Sequence, residues 1–174
     1  MLKDKALSIY RNICPYAKWA SLHAIFAIAA LEDMELERID ISSAFPNGEC
    51  EEDAYMEQPE GFHQGAPDDY LKLLKSMYGL KQSGRIWHKR LDKKLQDMGF
   101  NKVKCVHSIW IYQKDGIKVI IPVFVDDMTI MSKSKDAVQG VKDELKKRFK
   151  LGVATERDRS NRILTQTVIQ SLLS

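Results

Sequence analysis

Val119 to Met131 reads VIIPVFVDDMTIM. Two short apolar runs flank a pair of adjacent acids, Asp126 and Asp127. Each run is rich in β-branched residues and reads as a strand. The link is tight, so the stretch is expected to be a β-hairpin with both acids at its tip. Two-residue hairpin turns favour Asn-Gly or Asp-Gly, which tolerate positive φ. Neighbouring carboxylates repel and weaken a turn that offers no counter-charge. Two readings follow: a solvated acidic turn, or acids retained for a divalent cation. The apolar strands bury the hairpin from both sides and leave both readings standing.

Working outward, Val106 to Tyr112 and Ile117 to Val125 read as strands joined at Asp115-Gly116, a strong hairpin signal. Ala137 to Phe149 reads as an amphipathic helix, with Val138, Val141, Leu145 and Phe149 on one face and lysines on the other. Further upstream, Met34 to Ser42 alternates as a strand. It sets Leu36, Arg38 and Asp40 on one side and Glu37, Ile39 and Ile41 on the other. Asp40 ends that strand, either as an edge residue in water or as a third functional carboxylate. Pro15 opens a helix with Trp19, Leu22, Ile25, Phe26 and Leu31 as its core stripe. A second helix begins near Ser83, a candidate cap, and stops at Gly99. Its apolar stripe is Ile86, Trp87, Leu91, Leu95 and Met98. Arg85, Lys89, Arg90, Lys93 and Lys94 form its other side, a solvated face or a track for phosphates. Tyr55 to Phe62 is a short extended segment, and Tyr70 to Met77 carries apolar residues with two lysines. After Leu151-Gly152 a hairpin turning at Asp158 to Asn161 is expected, then a helix from Thr167 to Ser174.

The 174 residues suffice for one domain with a core, and 44% hydrophobic with 29% charged excludes a disordered chain. The net charge of +3 conceals segregation. Glu32 to Asp69 holds thirteen acids and one base, Arg38. Lys72 to Lys104 holds ten bases and two acids, and Lys133 to Arg162 ten bases and five acids. Such blocks suit metal ions held at one place and a polyanion around them, or simply alternating solvated faces. Cys14, Cys50 and Cys105 form neither a disulfide framework nor a zinc spacing, and Cys105 with His107 lacks a second pair. Ala20 to Leu31 is too short to span a bilayer. The order of elements implies an α+β fold, an antiparallel sheet backed by helices. If the Asp40 strand lies beside the Asp126 hairpin, three carboxylates share one face. Two magnesium ions about 3.5–4 Å apart would relieve them and suit in-line phosphoryl transfer.

Four blocks then resemble one family, the reverse transcriptase of copia-type LTR retrotransposons. IDISSAFPNGE resembles its first catalytic-aspartate motif, and EEDAYMEQPEGF the segment that follows. SMYGLKQSGRIWHKRLD is close to a characteristic block, and FVDD is similar to the polymerase box. The resemblance covers roughly Cys14 to Ser174 and keeps the family's order. It implies a polymerase palm with part of the fingers, as a single partial domain over 1–174 without thumb or RNase H. It implies an RNA-directed DNA polymerase that adds nucleotides to a primer 3′-hydroxyl with two Mg2+ ions, or Mn2+ in their place. Asp40, Asp126 and Asp127 would be catalytic, with Asp40, Asp126 and the Ile41 carbonyl on metal. Phe45 stands where an aromatic blocks a ribose 2′-hydroxyl, or is simply core. Gln82 matches a nucleotide- or template-contacting position, or is a polar helix start. Phe124 replaces the usual tyrosine beside the primer end.

Partners would be an RNA template, a DNA primer, deoxynucleoside triphosphates and other parts of a retrotransposon polyprotein, with no membrane. The location would be the family's cytoplasmic particles, or the nucleus. Pro46 stands for a usual leucine and Gly84 for a usual proline. The family's upstream fingers segment is expected to be missing, and a stretch is expected to be lost after Leu151. These departures predict weak or absent polymerisation by this chain. The alternative is a decayed or domesticated relic that keeps the palm and nucleic-acid binding only. An interaction domain with acids as mere surface charge is the reading outside the family.

Overall fold

A computed structural model describes residues 19–152, apart from 51, 63, 67, 68, 105 and 107. The helix start at Pro15, the Cys14, Cys105 and His107 side chains, and the elements expected after Gly152 lie outside these residues. The elements are α1 (Trp19–Leu31), β1 (Glu35–Asp40), β2 (Tyr55–Glu57), β3 (Tyr70–Lys72), α2 (Ser83–Asp97), β4 (Asn101–Lys102), β5 (Ile109–Lys114), β6 (Ile117–Phe124), β7 (Asp127–Ser132) and α3 (Lys135–Lys146). The fold class is α+β, as the order of elements implied. The chain divides into two units, one containing 44–90 and the other 15–43 with 91 onward.

The larger unit is built on a five-stranded antiparallel sheet in the order β1-β7-β6-β5-β4. Register assigns its two faces. Ile109, Ile111, Ile120, Met131 and Leu36 share one face, because Ile111 pairs with Ile120, Ile120 with Met131, and Met131 with Leu36. α1 covers that face with Ala29, Ile25 and Phe26, closing a core around Met34, Ile109, Ile120 and Met131. Leu31, expected in this stripe, is 75% exposed, since the helix ends there and the chain turns through Asp33 at φ 53°. On the opposite face lie Ile39, Met128, Ile130, Val119, Ile121 and Val123, all buried. α3 lies against β7, β1 and β6 and buries Val138, Val141 and Leu145. Burying one such leucine stabilises the fold by roughly 1.5–3 kcal/mol.

Local chemistry explains the ends of these elements. Ser134 caps α3, its hydroxyl accepting from the Ala137 N–H at 3.2 Å. The helix therefore begins two residues before the expected Ala137, and Phe149 is buried just beyond its end. α2 stops at Gly99 as expected, at φ 87°. The Phe100 N–H donates to the Leu95 carbonyl and the Gly99 N–H to the Gln96 carbonyl, a Schellman ending. Ser83 does not cap α2; its hydroxyl donates to the Met77 carbonyl at 2.5 Å, from inside the first turn. Asp115 and Gly116 turn β5 into β6, both at positive φ as a two-residue hairpin turn requires.

In the smaller unit β2 and β3 form a two-stranded sheet. Phe45 lies in a 3-10 turn with Pro46 and Asn47, and its carbonyl accepts from the Ser76 hydroxyl. Much of the charge segregation resolves as ion pairs within each unit. In this one Arg85 meets Glu52, Arg90 meets Glu49 and Lys72 meets Asp53. In the larger unit Lys118 meets Glu32, Lys142 meets Glu37 and Lys135 meets Glu35. Partly exposed pairs of this kind are screened by solvent and contribute little to stability.

Candidate active site on the sheet

The acids sit where β6, β7 and β1 end together. β1 lies beside β7, and Asp40 is directly opposite Asp127. Phe124 is opposite Asp127 on the other side. Directly opposed residues share a face, so Phe124, Asp127 and Asp40 form one row across three strands. The row continues the α1-covered face toward its open end, where Phe124 is 44% exposed.

The hairpin tip differs from expectation by one residue. The turn is Val125-Asp126, and Asp127 is already the first residue of β7. Val125 takes φ 59°. For a β-branched residue that is a rare conformation, costing about 1–3 kcal/mol that its surroundings must hold. The turn is anchored from β1, because the Ile41 N–H donates to the Asp126 carbonyl at 3.0 Å. Ile41 is itself 1% exposed and bridges to Leu151. The Gly152 N–H donates to the Asp40 carbonyl at 2.8 Å. Residues 150–152 thus extend the ladder beside the end of β1.

Two neighbours of the acids carried no assignment from sequence. Arg38 donates to the Asp127 carboxylate at 2.8 Å. The sequence held a signal for it: Arg38 is the sole base among the thirteen acids of 32–69, and it shares a face with Asp40. Gly152 touches Asp40, since a Cβ there would lie 2.5 Å from Oδ2. No local sequence pattern marks that contact. Phe45 and Gln82 belong to the smaller unit. Phe45 stacks tilted on Tyr78 with ring centroids 4.6 Å apart. The Gln82 carbonyl accepts the Ile86 N–H at the start of α2.

Carboxylate and carbonyl oxygens are the donors that hard divalent cations take, and the register sets two of these acids face to face with the third adjoining. The donor chemistry therefore fits magnesium. The side chains are less gathered: among the described residues no three of His, Cys, Asp and Glu lie close enough to hold a metal ion. Asp127 meets a guanidinium instead.

A family model for reverse transcriptase (RNA-dependent DNA polymerase) matches residues 5–161. The chain belongs to this family. The reverse transcriptase domain is 34% identical to the retrovirus-related Pol polyprotein from transposon TNT 1-94 of Nicotiana tabacum, over 93% of this chain and 13% of that protein. It is 30% identical to the Pol polyprotein from transposon RE1 of Arabidopsis thaliana, over 82% of this chain and 10% of the relative. It is 33% identical to the Transposon Ty1-GR1 Gag-Pol polyprotein of Saccharomyces cerevisiae, over 77% and 7%. These relatives make it a copia-type reverse transcriptase domain, and it spans about an eighth or less of their length. No solved structure matches the chain. Among the described residues no helix is long and apolar enough to cross a membrane.

Proposed function

We propose that this chain is the RNA-directed DNA polymerase part of a copia-like Pol polyprotein, with its catalytic centre on the Phe124–Asp127–Asp40 row. The sheet would be the polymerase palm, and the unit holding Phe45 and Gln82 part of the fingers. The register of Asp40 against Asp127, with the Asp126 turn bonded to Ile41, carries this reading. Asp40, Asp126 and the Ile41 carbonyl would hold Mg2+ or Mn2+, and Asp127 would complete the acidic set. A pair of such ions, when bound, supplies charge stabilisation and lowers the pKa of an attacking hydroxyl. The chain's own residues position the reactants. Phe124 offers an exposed ring at the row's end, where a primer terminus would rest. Phe45 would limit the sugar and Gln82 would contact nucleotide or template. RNA template, DNA primer and deoxynucleoside triphosphates are the partners this implies, in cytoplasmic particles.

Polymerisation by this chain is expected to be weak, since its described acids are not gathered and alignment errors of about 1 Å cost about a hundredfold. One observation favours a second reading, a relic that binds nucleic acid without catalysis: the described acids do not gather into a three-ligand set. Magnesium-dependent primer extension on an RNA template, with Asp126→Asn in parallel, separates the two. Extension by the native chain and none by the variant establishes the polymerase. No extension by a folded chain that binds primer–template in a salt-dependent way establishes the relic. Equal extension by both removes Asp126 from the site.

A further inference from the structure

Arg38 is the residue beside the acidic row that the proposed reaction leaves without a role. It lies two residues before Asp40 on the same face of β1, diagonal to Asp127 across the β1–β7 ladder. Its Nη2 reaches the Asp127 Oδ1 at 2.8 Å, with the two side chains 34% and 38% exposed. Such a position is unusual for a cation beside a centre that must bind cations. A fixed positive charge there lowers the local demand for a metal, because it neutralises part of the acidic field and repels a second cation. An arginine holds a carboxylate directionally, through a planar fork of donors rather than as a point charge. Asp127 is therefore given both an orientation and a neutralising partner before any ion arrives.

We propose that Arg38 is an internal counter-cation of the acidic row, a positioning residue that holds Asp127 and whose fixed charge opposes a divalent cation at the neighbouring Asp40 and Asp126. This rests on reading Asp40, Asp126 and the Ile41 carbonyl as a metal site with Asp127 beside it. It accounts for two observations together: acids aligned by register, and a described set that includes no three-ligand group. It also makes metal affinity, rather than fold, the property that Arg38 controls.

Mn2+ binding to the whole chain, read by electron paramagnetic resonance, tests it without requiring polymerisation. Native protein, Arg38→Gln, Arg38→Lys and Asp40→Asn are compared. Arg38→Gln should bind Mn2+ about tenfold more tightly, the scale of one nearby unit charge. Arg38→Lys keeps the charge and should stay near native affinity, while Asp40→Asn should lose the site. If Arg38→Gln does not fold, Arg38→Met keeps the aliphatic stem on the sheet, removes only the charge, and carries the same expectation. Unchanged or weaker binding in the charge-removed variant, with Asp40→Asn still abolishing it, overturns the role of Arg38 and leaves the metal site intact. Identical binding by native protein and Asp40→Asn overturns the metal site, and the counter-cation with it.

Discussion

Gly152→Ala is the sharpest probe of the acidic row. Gly152 pairs with the end of β1, its N–H on the Asp40 carbonyl, while Leu151 bridges Ile41. That pairing sets residue 152 opposite Asp40, so a side chain at 152 would rise on the same face as the carboxylate. An added Cβ would lie 2.5 Å from Oδ2 and 3.4 Å from both Cβ and Cγ of Asp40. Real Cβ contacts essentially never fall under 3.0 Å and ordinary ones begin at 3.4 Å, so the carboxylate oxygen must retreat by about 0.5–0.9 Å. Scaled from about a hundredfold per ångström, the loss in primer extension is about ten- to sixtyfold. Stability should barely change. Gly152 has no positive φ to lose, and alanine restricts the unfolded chain by about 0.4–1 kcal/mol, which offsets the crowding. Single-turnover extension beside urea unfolding measures both. Where extension is too slow to read, Mn2+ affinity replaces it and should weaken alongside. Native-like extension and Mn2+ binding by Gly152→Ala would refute the claim that Asp40 must stand where Gly152 allows it. A loss above about 2 kcal/mol in urea would show that the backbone, not the carboxylate, gives way.

Three further outcomes test the scaffold. Gly140 sits inside α3 with nothing within 4 Å of the point an added Cβ would occupy, so Gly140→Ala should raise the urea midpoint by the equivalent of about 1 kcal/mol. Ser134→Ala removes the side-chain cap of α3 and should lower stability by about 1 kcal/mol, with Ser134→Asp restoring it. The Lys118 ammonium bonded to Glu32 holds that carboxyl below its ordinary value. A depressed carboxylate stabilises the fold above its unfolded pKa, about 4.3, and loses that contribution as pH falls through the folded value. Glu32→Gln should therefore lower the melting temperature slightly at neutrality and flatten the acid limb of the profile below about pH 4.3, where the two proteins converge.

What could be read from sequence divides by the range of the force involved. Asp115-Gly116 was legible because both residues accept positive φ, and the turn takes both there. The Gly99 stop was legible for the same reason. The acidic hairpin was placed one residue late, and alternation could not have corrected it. Pairing Val123 with Met128, as observed, or with Ile130 buries the same faces, since registers two residues apart preserve every side. What selects Val125-Asp126 as the turn is tertiary: the Ile41 N–H on the Asp126 carbonyl, which holds a valine at φ 59°. Ser83 misled for a related reason. It is the first residue of α2 rather than the one before it, and its hydroxyl donates to the Met77 carbonyl instead of accepting a first-turn N–H.

The charge blocks carry a different lesson. Read linearly, an acidic stretch between basic ones suggests a metal pole and a polyanion track. Folded, Arg85, Arg90 and Lys72 meet acids of their own unit, and Lys118, Lys135 and Lys142 meet acids of theirs. A block of one sign in sequence is thus largely half of a set of ion pairs. That leaves the exception as the informative residue. Arg38 is the one base inside the acidic block, and period two puts it beside Asp40. A strand residue of opposite sign to its whole surroundings has its partner across the ladder, and here the partner is Asp127. The β1–β7 register sets that guanidinium beside the acids, and the Mn2+ affinity of Arg38→Gln measures whether its charge opposes a metal ion there.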